Sequence, residues 1–228
     1  MDEIEMVAEE IKAKVVRVRT DQDQLKANYA GEVERQIAAI LQNAETAVLV
    51  AKRGLSAEKL GIGQGKVVAF QTTISAKQQA LGSLQGASGA LKMAFIEAKR
   101  KVSDLRESTR IAYPKDTAAQ QALGATEKVP ADQEKFLSYA RSSGEAAKQA
   151  PHAAALQEVG FDSAAYDAAI TAFANARTAF TVAEQTSKQA TAERDLAFEE
   201  LKNWAQVFRR TVKLALKARP DLLTPLGL

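Results

Sequence analysis

The chain has 228 residues, 46% of them apolar and 26% charged, with a net charge of +3 and no cysteine. The absence of cysteine excludes disulfides and thiolate chemistry, and so small a net charge does not by itself require a nucleic-acid partner. No run of about eighteen apolar residues is present to cross a membrane as a helix, and the acidic start Met1-Asp2-Glu3-Ile4-Glu5 resembles neither a signal nor a transit peptide.

These features fit a cytoplasmic protein. β-Branched runs bounded by turns are almost absent, which predicts an all-α fold in a single domain spanning residues 1–228. Much of the apolar content is alanine, so the core is expected to be narrow and the bundle elongated.

The first helix is predicted from about residue 2 to 53. Its apolar line runs Ile4, Val7, Ile11, Val15, Val18, Gln22, Leu25, Tyr29, Val33, Ile37, Ile40, Ala44, Val48, Ala51, Leu55. The mean step is about 3.6 residues, close to the natural helix repeat, and only Gln22 breaks the line. Gly54 suits the closing position.

Residues 54–66 read as a flexible connector. Gly61-Ile62-Gly63-Gln64-Gly65-Lys66 contains the end of a phosphate-loop pattern. The required upstream glycine is replaced by Leu60, and the hydroxyl residue after the lysine by Val67. A dinucleotide fingerprint would need a preceding strand and a third glycine. Neither nucleotide reading is supported.

The second helix is predicted over about 66–113. Val67, Phe70, Ile74, Lys77, Leu81, Leu84, Ser88, Leu91, Phe95, Ala98, Val102, Leu105, Thr109 and Ala112 alternate steps of three and four, the heptad pattern of a coiled coil. Beside it, Gly82, Gly86, Ala90, Ala94 and Ala98 form a small-residue line, read as a close helix contact. Pro114 ends this helix.

Residues 115–160 form a broken third rung. Asp116 caps a short helix ending near Gly124, Pro130 suits the first turn of another, and Pro151 starts a last piece. A final rod is predicted over 162–219, capped by Asp162, with a Phe161–Tyr166 staple. One line on it reads Phe173, Phe180, Ser187, Arg194, Leu201, Phe208, and a second reads Ala169, Ala176, Ala183, Ala190, Ala197, Trp204. The polar stretch 184–195 is expected to be the loosest or wettest part.

The three long helices and the broken rung predict an antiparallel up-down-up-down bundle. That path places the acidic start, Asp2, Glu3, Glu5, Glu9 and Glu10, beside the basic end of the rod. An up-down-up path with a helical hairpin inserted near Tyr113 would separate the two ends.

No catalytic constellation emerges. The only histidine, His152, lacks the Glu-x-x-His setting of a bundle metal site and reads as a surface residue at a helix start. No catalytic, cofactor-binding or metal-binding residue is assigned. Trp204 and Phe208 sit on the seam and read as core.

The candidate surface is Lys202, Arg209, Arg210, Lys213, Lys217 and Arg219. Cations at a helix C-terminus already stabilise it through the macrodipole. Beyond that role they could meet an anionic surface, and without interleaved aromatic residues for base stacking, nucleic acid ranks below a membrane.

The tail Pro220-Asp221-Leu222-Leu223-Thr224-Pro225-Leu226-Gly227-Leu228 is expected to fold back and plug the bundle. Trp204, Arg219, Pro220, Leu222, Leu223, Leu226, Gly227 and Leu228 together resemble the ends of uncharacterised bacterial helical proteins that close on Arg-Pro-x-Leu-Leu and Leu-Gly-Leu or Leu-Gly-Ile. The resemblance covers about the last tenth of the chain and implies no activity. The expectation is a non-enzymatic structural or protein-interaction bundle binding other chains or itself. The alternative is peripheral binding to anionic membranes through the basic end.

Overall fold

The computed structural model describes the backbone from Glu3 and side chains from Gln22 onward. The fold is all-α: α1 (Glu3–Gln42), α2 (Ala44–Ala51), α3 (Ala57–Ala112), α4 (Thr117–Ala122), α5 (Gln133–Lys148), α6 (His152–Glu158) and α7 (Ser163–Ala215), followed by two 3-10 turns at Pro220–Leu222 and Thr224–Leu226. No strand occurs among the described residues. The chain divides into two compact units, Met1–Ala80 with Ser187–Leu228, and Leu81–Thr186. Both α3 and α7 contribute to each.

In the first unit, α1 does not continue to residue 53. Asn43 interrupts it and caps α2, its side chain accepting from the Thr46 N–H at 3.0 Å. The break resets the helical phase, so Val50 is buried while Val48, on the expected apolar line, is exposed. Leu25, also on that line, is exposed.

The connector expectation also fails. After Gly54, at φ +86°, α3 starts at Ala57 and runs straight through Gly61, Gly63 and Gly65. A tertiary contact overrides the low helix propensity of these glycines. Gly63 is buried directly beneath the Trp204 indole, where any Cβ would collide with the ring.

Around this contact Val33, Ile37, Val67, Phe70, Leu201 and Phe208 form a buried core. Phe198 lies 5.3 Å from Phe70 and 5.7 Å from Tyr29 between ring centroids.

The path differs from up-down-up-down. Lys26 meets Asp195 at 2.6 Å, Arg209 meets Glu32 at 3.1 Å, and Arg219 pairs with Glu45. Partners on α1 and α2 therefore rise in number together with those on α7, so these helices run in the same direction. The carboxylates that meet the basic end are Glu32, Glu45 and Asp221. The acidic residues expected there, Asp2, Glu3, Glu5, Glu9 and Glu10, lie outside the residues whose side chains are described.

The second unit supplies the reason. Phe136 packs on Phe173 and Lys148 bonds Asp167 at 2.9 Å, so α5 runs antiparallel to α7. It thus follows the direction of α3, whose Phe95 stacks on Phe173 at 4.9 Å. The return climb is made by the non-helical stretch 123–132, held by Arg106 bonds to the Ala125 and Glu127 carbonyls. An extended chain covers about 3.3 Å per residue against about 1.5 Å in a helix, so roughly ten residues suffice.

Both aspartate caps and the aromatic staple hold. Asp116 and Asp162 cap their helices, each accepting an N–H at 2.9 Å. The Phe161 and Tyr166 rings meet at 5.8 Å. Pro130 precedes α5 instead of opening it, because Asp132 takes the cap. His152 is half-buried rather than free at the surface, its Nδ1 3.0 Å from the Tyr113 hydroxyl.

The small-residue line on α3 makes no contact at its glycines. Gly82 and Gly86, and Gly89 beside the line, are exposed, with nothing within 4 Å of an added Cβ.

The seam interruptions converge in the first unit. Lys77 and Arg194, each with a side chain only 9% exposed, both pair with Asp23, and Arg194 also reaches Asp195 at 2.6 Å. Burial pushes the Asp195 carboxyl up. Hydrogen bonds from Lys26 and Arg194 outweigh that push and hold it below the ordinary carboxylate range.

Asp23→Ala strands the buried Lys77 and leaves Arg194 only its Asp195 partner, and is expected to lower stability by about 3 kcal/mol. Lys77→Met, which leaves the Asp23–Arg194 pair and keeps an apolar stem, is expected to lower it by only about 1 kcal/mol. Urea midpoints followed by Trp204 fluorescence measure both. Because the folded state depresses the Asp195 pKa, its contribution is present above about pH 4 and fades as pH falls through the folded value, which acid titration of wild type against Asp195→Asn reads.

Candidate functional site

The six candidate cations do not act as one surface. Lys202 bonds Glu199 at 3.2 Å within the helix. Arg209 faces α1: its Nε donates to the Gln36 side chain at 3.0 Å, and its guanidinium lies 4.8 Å from the Tyr29 ring centroid. Arg219 is bidentate to Asp221, at 3.0 and 2.7 Å, and pairs with Glu45. Its hydrogen bond holds the Asp221 carboxyl below its ordinary range. These three cations are engaged within the protein.

Arg210, Lys213 and Lys217 are exposed and make no ion pair with any described residue. Spacings of three and four residues align Val207, Arg210 and Leu214 along one face of α7, with Lys213 at its edge and Lys217 in the turn that follows. Val207 is 63% exposed and Leu214 54% exposed, so two large apolar side chains stand in water among these cations. The sequence showed the cations. It could not show that the apolar residues between them lie outside the core.

Arg53, Gly54, Leu55, Lys59 and Ile62 join Trp204, Val207, Phe208 and Thr211 around a shallow concavity of about 350 Å³. Trp204 stacks on Phe208 at 4.9 Å with only 13° between the planes, and Gly63 supports its other side. Phe208 is core, as the seam predicts, whereas Trp204 is only half-buried and faces this concavity. The tail closes the same unit. Leu226 is buried, its carbonyl accepts from Gln36 Nε2 at 3.1 Å, and Leu222, Leu223 and Leu228 pack on the core.

In the second unit, Ser88, Leu91, Lys92, Phe95, Gln133, Arg177, Phe180 and Thr181 line a concavity of about 460 Å³. Its two charged residues are both cations, so it offers no acid–base pair. Nearby, α3 exposes Leu81, Met93 (67%) and Ile96 (53%) along with Gly82, Gly86 and Gly89. Among the described residues, no three His, Cys, Asp or Glu side chains come together to hold a metal, and no helix is long and apolar enough to cross a membrane. No family model, curated protein or solved structure matches the chain.

Gly63→Ala is expected to displace the indole from its place over α3. A red shift of Trp204 emission checks this. A packing loss of about 1–3 kcal/mol is partly offset by about 1 kcal/mol of helix propensity.

Proposed function

We propose that the protein is a non-enzymatic helical bundle that binds other protein chains, and that a second copy of itself is a partner. One observation carries this reading: the unpartnered stripe Gly82, Gly86, Gly89, Met93 and Ile96 on α3 in the second unit. These positions follow one another by three or four residues and therefore share a helix face. At the three glycines there is open space where a Cβ would stand. Such positions let a neighbouring backbone come close, and the adjacent Met93 and Ile96 supply apolar area to bury against it.

The absence of an acid–base pair or nucleophile motif in the sequence supports a non-enzymatic role. The other expected activity, contact with anionic membranes, concerns the other unit.

Sedimentation equilibrium of wild type against Gly86→Lys tests the reading. Lysine fits the open space and is a better helix former than glycine by roughly 0.7 kcal/mol, so the fold should be retained or strengthened. The wild type is expected to self-associate with rising concentration, and the variant to sediment as a single chain. A wild type that stays a single chain throughout, with no partner recovered by crosslinking, counts against the proposal.

A further inference from the structure

Charge is segregated in the first unit. Residues 45–59 and 209–221 carry eight Lys and Arg against three Asp and Glu, an excess of five in a chain whose total is only +3. The Arg219–Glu45 pair and the shared concavity bring these two stretches to the same place. Some of this charge is internally neutralised, but Arg210, Lys213 and Lys217 point outward without partners among the described residues. Val207 and Leu214 stand exposed on the same face, and Ile62, 52% exposed, borders the concavity beside Val207.

Cations alone would suit any polyanion in water. Bulky apolar groups set among them suit a partner that is anionic at its surface and apolar just beneath it. We infer that the face formed by Val207, Arg210, Lys213, Leu214 and Lys217, with the concavity beside Trp204, docks onto a lipid bilayer bearing anionic headgroups. The cations meet the headgroup layer, while Val207, Leu214 and Ile62 enter the boundary between headgroups and acyl chains. Trp204 stands at the edge of this face, an amphipathic ring of the kind that favours the membrane–water interface. The helix lies along the surface and does not cross it, consistent with its many charges.

Flotation with vesicles of phosphatidylcholine alone and with about one-third phosphatidylserine tests the inference on the full chain. Binding is expected only to the anionic vesicles, weakening as salt rises. Trp204, the only tryptophan, should shift its emission to the blue on binding. Exchanging Arg210, Lys213 and Lys217 together for glutamine should weaken binding about a hundred-fold, near five-fold for each cation removed. These side chains make no hydrogen bond with any described residue, so the variant is expected to keep its structure. Removing the same charge from the other unit, with Lys115→Gln, Lys128→Gln and Arg141→Gln together, should leave flotation unchanged.

Leu214→Ser should weaken binding while preserving its salt dependence. Equal binding to both vesicle types, or full binding by the triple variant, overturns the inference. So does capture by an oligonucleotide without flotation, which would give the face to another polyanion.

Discussion

Asp23 is shared by Lys77 of α3 and Arg194 of α7, and that sharing fixes how three helices of the first unit lie against one another. Two cations taken almost wholly out of water are tolerable only when paired. Sliding any of the three helices by one turn would separate a charge from its partner by several ångströms. The neighbouring Lys26–Asp195 pair reinforces the same alignment. Once Asp23 stands beside Arg194, the later contacts follow in step: Arg209 reaches Tyr29 and Gln36, Arg219 reaches Glu45, and the tail lies on Gln36.

This alignment divides the cations of α7 between two roles. Successive residues on a helix point about 100° apart. Arg209 therefore turns towards α1 while Arg210 turns away from it. The inward set holds the unit together, and the outward set is left available to a partner. Glu32 and Glu45 serve the inward set, and no carboxylate among the described residues pairs with the outward one.

Much of the helix pattern was legible before any coordinates. The α7 lines predicted the buried Phe173, Ser187, Arg194, Leu201 and Phe208, and Lys77 and Arg194 stood out as polar intruders on apolar seams. Periodicity places each intruder on a buried face but carries no information about which one meets which. Charge at the chain ends misleads about the direction of the path for a related reason. Matching charges at the two chain ends favoured one topology, but Glu32 and Glu45 supply equivalent charges elsewhere. Helix propensity also misplaced the start of α3, since the Gly63–Trp204 contact joins residues far apart in sequence. Of the candidate surface, composition gave the cations, and only packing separated the three engaged ones from the three exposed ones.

The exposed glycines of α3 have a further consequence. Gly82, Gly86 and Gly89 each weaken the helix by up to about 1 kcal/mol relative to alanine, and residues 81–90 include none that is buried. Local opening should therefore need least free energy there. Backbone amides in this stretch should trade their protons with solvent sooner than those flanking Phe70 or Leu105.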